Sequence, residues 1–158
     1  MKQAIKSLYL WLDSDAAPIS AITQKKKIDW LRCLPFVFTH LACLGVFAVG
    51  VSPWAVAVCL IAYAVRVFAL TGFYHRYFSH RSFKTSRFMQ FCFGVLGSSA
   101  AQRGPVWWSA HHRHHHKYSD DPRDKHSPHN DGFWWSHCGW FIADDSFRTE
   151  TKYIKDWM

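Results

Sequence analysis

CLPFVFTHLACLGVFAVGVSPWAVAVCLIAYAV, residues 33–65, contains no charged side chain and is bounded by Arg32 and Arg66. At about 1.5 Å per residue a straight helix through it would be roughly 50 Å long, against ~30 Å for the hydrocarbon core of a bilayer. The run therefore has to fold back. Gly50-Val51-Ser52-Pro53 carries two helix breakers and marks the bend, giving a first pass near residues 33–50 and a second near 54–72. Pro35 is expected in the first turn of the first pass, where its missing amide hydrogen costs least. A helical hairpin buried in a water-soluble protein fits less well, because two adjacent uncharged runs of this length rarely occur in such folds.

Composition agrees with a membrane setting. Of 158 residues, 49% are hydrophobic and 18% aromatic, with nine Trp and thirteen Phe, more apolar surface than a soluble domain of this size usually carries. Cys33, Cys43, Cys59, Cys92 and Cys138 occur singly, without a C-x-x-C pair. They read as small buried hydrophobes, not as a disulfide scaffold or a zinc ribbon. The net charge of +8 does not point to nucleic acid, because the basic residues cluster beside apolar runs and not along one polar face. A lipid bilayer is the expected partner. Lys25, Lys26, Lys27 and Arg32 precede the two passes, Arg76, Arg81, Lys84 and Arg87 follow them, and the bend has no charge, so both ends are expected on the cytoplasmic side. Arg66 would lie in the last turns of the second pass and snorkel to the aqueous end. Ile5, Leu8, Tyr9 and Leu12 fall at helical spacing, which suits either a short helix in the interface or a loosely ordered terminus.

The polar chemistry lies beyond residue 72. Phe88–Gln102 is again uncharged but short for a crossing, so an interfacial or protein-covered helix ended by Gly104-Pro105 is expected. That would leave two histidine tracts on one side of the membrane. In HHRHHH, residues 111–116, His112, His115 and His116 stand at i, i+3 and i+4, one face of a helix, which is ligand spacing for iron, copper, zinc or nickel. His111 and His114 point partly elsewhere. Upstream, His75 and His80 are five apart, about 140° around a regular helix, so either the helix breaks near Ser79 or each serves a different metal.

HRYFSHRSFKTSR (75–87), WWSAHHRHHHKYSDDP (107–122) and HSPHNDGFWWSHCGW (126–140) resemble, in box order, spacing and intervening tryptophans, the first two histidine boxes and following segment of the membrane-bound fatty acyl desaturases, in particular the bacterial acyl-CoA delta-9 type related to stearoyl-CoA desaturase. The resemblance runs from about Trp54 to Trp140. It implies an all-α fold: an integral membrane helical hairpin plus cytosolic helices carrying two histidine boxes. The expected segments are an N-terminal interfacial segment (1–32), the hairpin (33–72) and a histidine-box region (73–158).

The function implied is oxygen-dependent insertion of a double bond into a saturated fatty acyl chain by a non-haem di-iron centre. O2 would be co-substrate, with a cytochrome b5 or ferredoxin type of electron donor. His75, His80, His112, His115 and His116 match the metal-ligand positions of the two boxes. Gln102 and Trp108 match positions that line the bend of the acyl tunnel in similar enzymes; the lesser alternatives on their own terms are a helix cap for Gln102 and an interface anchor for Trp108. Ala110 and His111 replace an Arg-Asp pair that helps hold coenzyme A in animal members, which leaves the acyl carrier open. His126, His129 and His137 are expected to pack or face solvent, and Asp120, Asp121 and Asp124 to form a solvated loop around Pro122.

Family members continue through two further passes and a third H-x-x-H-H box. A chain ending at TKYIKDWM is therefore expected to be a fragment, inactive alone, since five imidazoles do not saturate two irons. Two other readings share the histidines: a small membrane protein that binds or carries metal, and a histidine-box hydroxylase.

Overall fold

The computed structural model describes Ile5, Tyr9, Leu12, Asp13, Asp15 and residues 26–158. The expected interfacial helix, which includes Leu8, lies for the most part outside the described residues, as does Lys25. Among the described residues there is no strand, only one isolated bridge between Ile28 and Ala143. The chain is all-α.

Two helices are long and apolar enough to cross a membrane, Trp30–Val49 and Pro53–Ser79. Only 6% of the apolar stretch of each is buried. A core helix of a soluble protein would hide such a stretch, whereas Phe47, Trp54, Ile61, Tyr63 and Phe68 are all exposed here. The bend falls where the breakers predict. Gly50 takes φ 75°, a conformation that favours glycine, and Ser52 caps the next helix by accepting the Ala55 amide at 3.1 Å with Pro53 behind it.

Pro35 departs from expectation. Helix α1 (Trp30–Cys43) starts early because the Asp29 carboxylate accepts the Arg32 amide at 3.0 Å, so Pro35 sits inside the helix and not in its first turn. The cysteines also differ: Cys33 is buried, Cys43 and Cys59 are exposed, and all five are free thiols.

The structure divides into two compact units, Met1–Leu44 with Tyr118–Thr149, and Gly45–Lys117 with Glu150–Met158. In the first, the 140s pack on α1. The Asp29 amide bonds the Ile142 carbonyl at 3.1 Å, Phe36 meets Phe141 edge-on at 5.4 Å, and Arg32 lies 4.8 Å over the Phe147 ring. The acidic loop is not simply solvated. Asp124 is buried, its two oxygens accepting the amides of Asp120 and His126, while Ser127 donates to Asp120. His126 stacks on Trp140 at 4.6 Å and His137 on Phe133 at 5.4 Å.

The second unit holds α2 (Val46–Val49), α3 (Pro53–Phe68), a π-helical segment Ala69–Ser79 that continues α3, α4 (Arg87–Ser98) and most of α5 (Pro105–Tyr118). Arg66 stands in the last turn of α3 as expected, but the π segment carries the helix on to Ser79, so the residue lies near the middle of the whole span. Its Nε donates to the Ser99 carbonyl at 3.0 Å, where a cation suits the C-terminal end of α4. Helix α4, capped by Ser86, is 12 residues and roughly 18 Å long, too short to cross. It packs on the π segment through a core of Tyr74, Tyr77, Phe78 and Phe93. Gly104-Pro105 opens α5 instead of ending α4, with the Trp108 amide bonding the Gly104 carbonyl at 3.0 Å.

Candidate metal centre

His75 and His80 come together because the backbone between them is π-wound. A π-helix closes i→i+5 hydrogen bonds, and the His80 amide bonds the His75 carbonyl at 3.0 Å, so residues five apart stand nearly over one another. Their ring centroids are 4.6 Å apart. Ending the segment at Ser79 then turns the chain away, with Arg81 at φ 51°.

Helix α5 brings the second pair. His112 and His116, one turn apart, have centroids at 4.4 Å, and His80 Nε2 lies 3.1 Å from His112 Nε2. One ring nitrogen from each of His75, His80, His112 and His116 falls within 4.8 Å of the others. Two ligands at about 2.1 Å from one ion and at right angles would stand about 3 Å apart, so the set suits a single ion of the imidazole-binding class. His80 and His116 are exposed and His75 and His112 half-buried, which leaves the cluster open on one side.

His115 does not join these four. It lies 100° around α5 from His116, and their rings are 6.0 Å apart. His111 is buried against Trp107 at 4.4 Å, and His114 against Tyr153 at 5.3 Å.

Burial and neighbouring imidazoles hold two of the four histidines toward the ligand form. Burial, and then the neighbouring His116, His75, His80 and His115, hold His112 down to about 3. Burial also lowers His80, followed by His75, His116 and Arg113. Neutral imidazole is the form that binds metal.

Gln102 and Trp108 are joined, Trp108 Nε1 donating to Gln102 Oε1 at 3.1 Å. The Trp108 ring stacks on His112 at 4.7 Å with 20° between planes, and meets His75 edge-on at 6.5 Å. Gln102 stands in the turn between α4 and α5, flanked by Ala101 at φ 57° and Arg103 at φ 63°, both unusual for residues with a Cβ. The Tyr74 hydroxyl holds this turn, donating to the Arg103 carbonyl at 2.9 Å and lying 2.9 Å from Ser98 Oγ.

Tyr74, Arg113, Asp156 and Trp157 escaped the sequence reading. Arg113 alone left a sign there, as a cation set among five imidazoles.

The fatty acid desaturase family model matches residues 52–156. Over 139 residues the chain is 38% identical to the sn-1 stearoyl-lipid 9-desaturase of Anabaena variabilis, covering 86% of this chain and 51% of that protein. It is 40% identical over 126 residues to the Delta-9 acyl-lipid desaturase 1 of Arabidopsis thaliana, covering 79% and 40%. With the acyl-CoA C20 Delta5-desaturase of Anemone leveillei it shares 36% identity over 156 residues, covering 90% and 47%. The chain thus spans about half the length, or less, of these relatives. No solved structure matches it. With the two histidine tracts converging inside the matched region, the chain belongs to the fatty acid desaturase family.

Proposed function

We propose that this chain supplies the iron-holding part of a membrane fatty acyl desaturase, with His75, His80, His112 and His116 on one ion of a non-haem di-iron pair and His115 directed to the second. The observation that carries the reading is the meeting of four imidazole donors from two helices within 4.8 Å. The bound pair would supply activated dioxygen, the reactivity needed to remove hydrogen from an unactivated methylene, which no side chain provides.

The chain's own residues hold and aim. His80 and His112 are held toward the neutral form, and Trp108, fixed by Gln102, covers one side of His112 and presents an apolar face where a fatty acyl chain would pass. Gln102 and Trp108 are thereby assigned to the bend of the acyl path. Relatives are named for both acyl-lipid and acyl-CoA substrates, so either carrier fits. Further donors would enter on the open side beside His80 and His116, and electrons would come from a cytochrome b5 or ferredoxin type of protein.

In this reading residues 1–32 lie at the interface, 33–72 span the inner membrane and 73–158 face the cytoplasm. Anaerobic titration of the detergent-solubilised chain with ferrous iron tests it. Uptake should be lost in His75→Ala, His80→Ala, His112→Ala and His116→Ala and kept in His129→Ala. Uptake indifferent to the first four substitutions, or none at all, would overturn the assignment.

A further inference from the structure

Arg113 lies between two proposed iron ligands in sequence, yet its side chain leaves the metal cluster and reaches backbone. Its Nε donates to the Ser79 carbonyl at 2.7 Å and Nη2 to the Phe78 carbonyl at 3.1 Å. Nη1 donates to the Tyr153 carbonyl at 2.8 Å, and Nη1 and Nη2 grip the Asp156 carboxylate at 2.6 and 3.0 Å. A guanidinium has five N–H groups in a fixed fork, and each is used once.

Two of the acceptors sit at a sensitive place. A helix leaves its last carbonyls without partners inside the helix. Here the amides of His80, Arg81 and Ser82 return to His75, Tyr77 and Arg76, and the carbonyls of Phe78 and Ser79, immediately before His80, turn to Arg113. A cation at this end also complements the helix dipole. Behind the fork, Asp156 is held by Arg81 at 2.9 Å as well, and Trp157 Nε1 donates to the same Phe78 carbonyl at 2.8 Å. Arg81 in turn lies 4.3 Å over the Trp157 ring.

We propose that Arg113 is a positioning residue for the metal site: extending from α5 beside His112, its guanidinium caps the end of the π segment beside His80 and so fixes one histidine tract against the other, with Asp156 holding the fork in place. The inference rests on the four-imidazole reading above and adds a residue to it. Lysine keeps the charge but offers three donors from one atom, so it does not replace the fork.

Cobalt(II), added to the detergent-solubilised chain, reports affinity and, through its ligand-field spectrum, the arrangement of donors. Arg113→Lys and Arg113→Gln should bind it about 10–100-fold more weakly than wild type with an altered spectrum, the range typical for losing a support behind a ligand. Their helical circular dichroism should be unchanged, and Asp156→Asn should show a smaller loss of affinity. Wild-type affinity and spectrum in Arg113→Gln would overturn the proposal. So would a loss of cobalt accompanied by an equal loss of helix in both Arg113 variants, which would make the residue a general support of the fold. If wild type itself takes up no cobalt at the four imidazoles, the reading of the site fails and this inference fails with it.

Discussion

His75 and His80 are five residues apart and face each other at 4.6 Å between ring centroids, an arrangement that α-helical winding, about 140° between such positions, does not allow. The π-wound turn between them makes the site sensitive to length. One alanine inserted between Arg76 and Tyr77 sets the pair six apart and should lower metal affinity at least about 10-fold, as for loss of a ligand's support. The same insertion between Lys84 and Thr85, in the exposed loop before α4, should be tolerated. Parallel cobalt titrations of the two insertions check this, and equal effects would show that the winding is irrelevant.

The reach of the sequence follows from how local each interaction is. The two apolar runs, their bend and the His112–His116 pair depend on neighbours within a few residues, and all were legible. The His75–His80 meeting was posed as either a break near Ser79 or two separate metals, because periodicity tests α and β windings and is silent on π. Arg113 was invisible as a clamp since its partners lie 34 to 43 positions away. Asp124 read as solvated because nothing in an acidic run says which carboxylate will turn inward to cap amides. Pro35 falls in the helix interior because Asp29 caps α1 ahead of the uncharged run, and Gly104-Pro105 starts a helix as readily as it ends one.

Gly97 and Gly94 lie on the same helix and should respond oppositely to alanine. A Cβ at Gly97 would stand 2.0 Å from Tyr74 Cε1, and that ring is buried and tied by its hydroxyl to Ser98 and Arg103. With no room to yield, Gly97→Ala should cost about 1–3 kcal/mol, the usual penalty for overpacking. At Gly94 the nearest atoms would be 3.8 Å away, an ordinary contact, so Gly94→Ala should stabilise by roughly 0.5–1 kcal/mol through its better helix entropy. Thermal melting in detergent separates them, and a neutral Gly97→Ala would contradict the packing.

Acid should loosen the Arg113 clasp. Hydrogen bonds from Arg113, then from Arg81, hold the Asp156 carboxyl below the usual carboxylate range against an opposing effect of burial. The unfolded carboxyl titrates near ~3.9, so below that pH the unfolded chain takes up a proton that the folded chain still refuses. The contribution of Asp156 is therefore complete above about pH 4 and is lost as the pH falls further. Asp156→Asn should melt lower than wild type at neutral pH, and the gap should narrow below pH 4. A gap that stays constant through that window would show that the ion pair does not stabilise the fold.

Charge placement predicts which way the second span runs. Arg76, Arg81, Lys84 and Arg87 are all exposed around the end that carries the histidines, whereas the turn at Gly50–Pro53 has no charge. The positive-inside bias then predicts the turn outside and the histidines in the cytoplasm. The span Pro53–Ser79 is 27 residues, about 40 Å of helix against a ~30 Å hydrocarbon core, so its last turns, with His75, reach past the lipid tails. Val51→Cys and Phe83→Cys, each in a background without the five native cysteines, test this with a membrane-impermeant maleimide. Val51→Cys should react in intact spheroplasts and Phe83→Cys only after lysis. The reverse pattern would invert the orientation. Reaction of both from one side would mean that the helix between them does not cross, and the cluster would then lack its route to an acyl chain from within the bilayer.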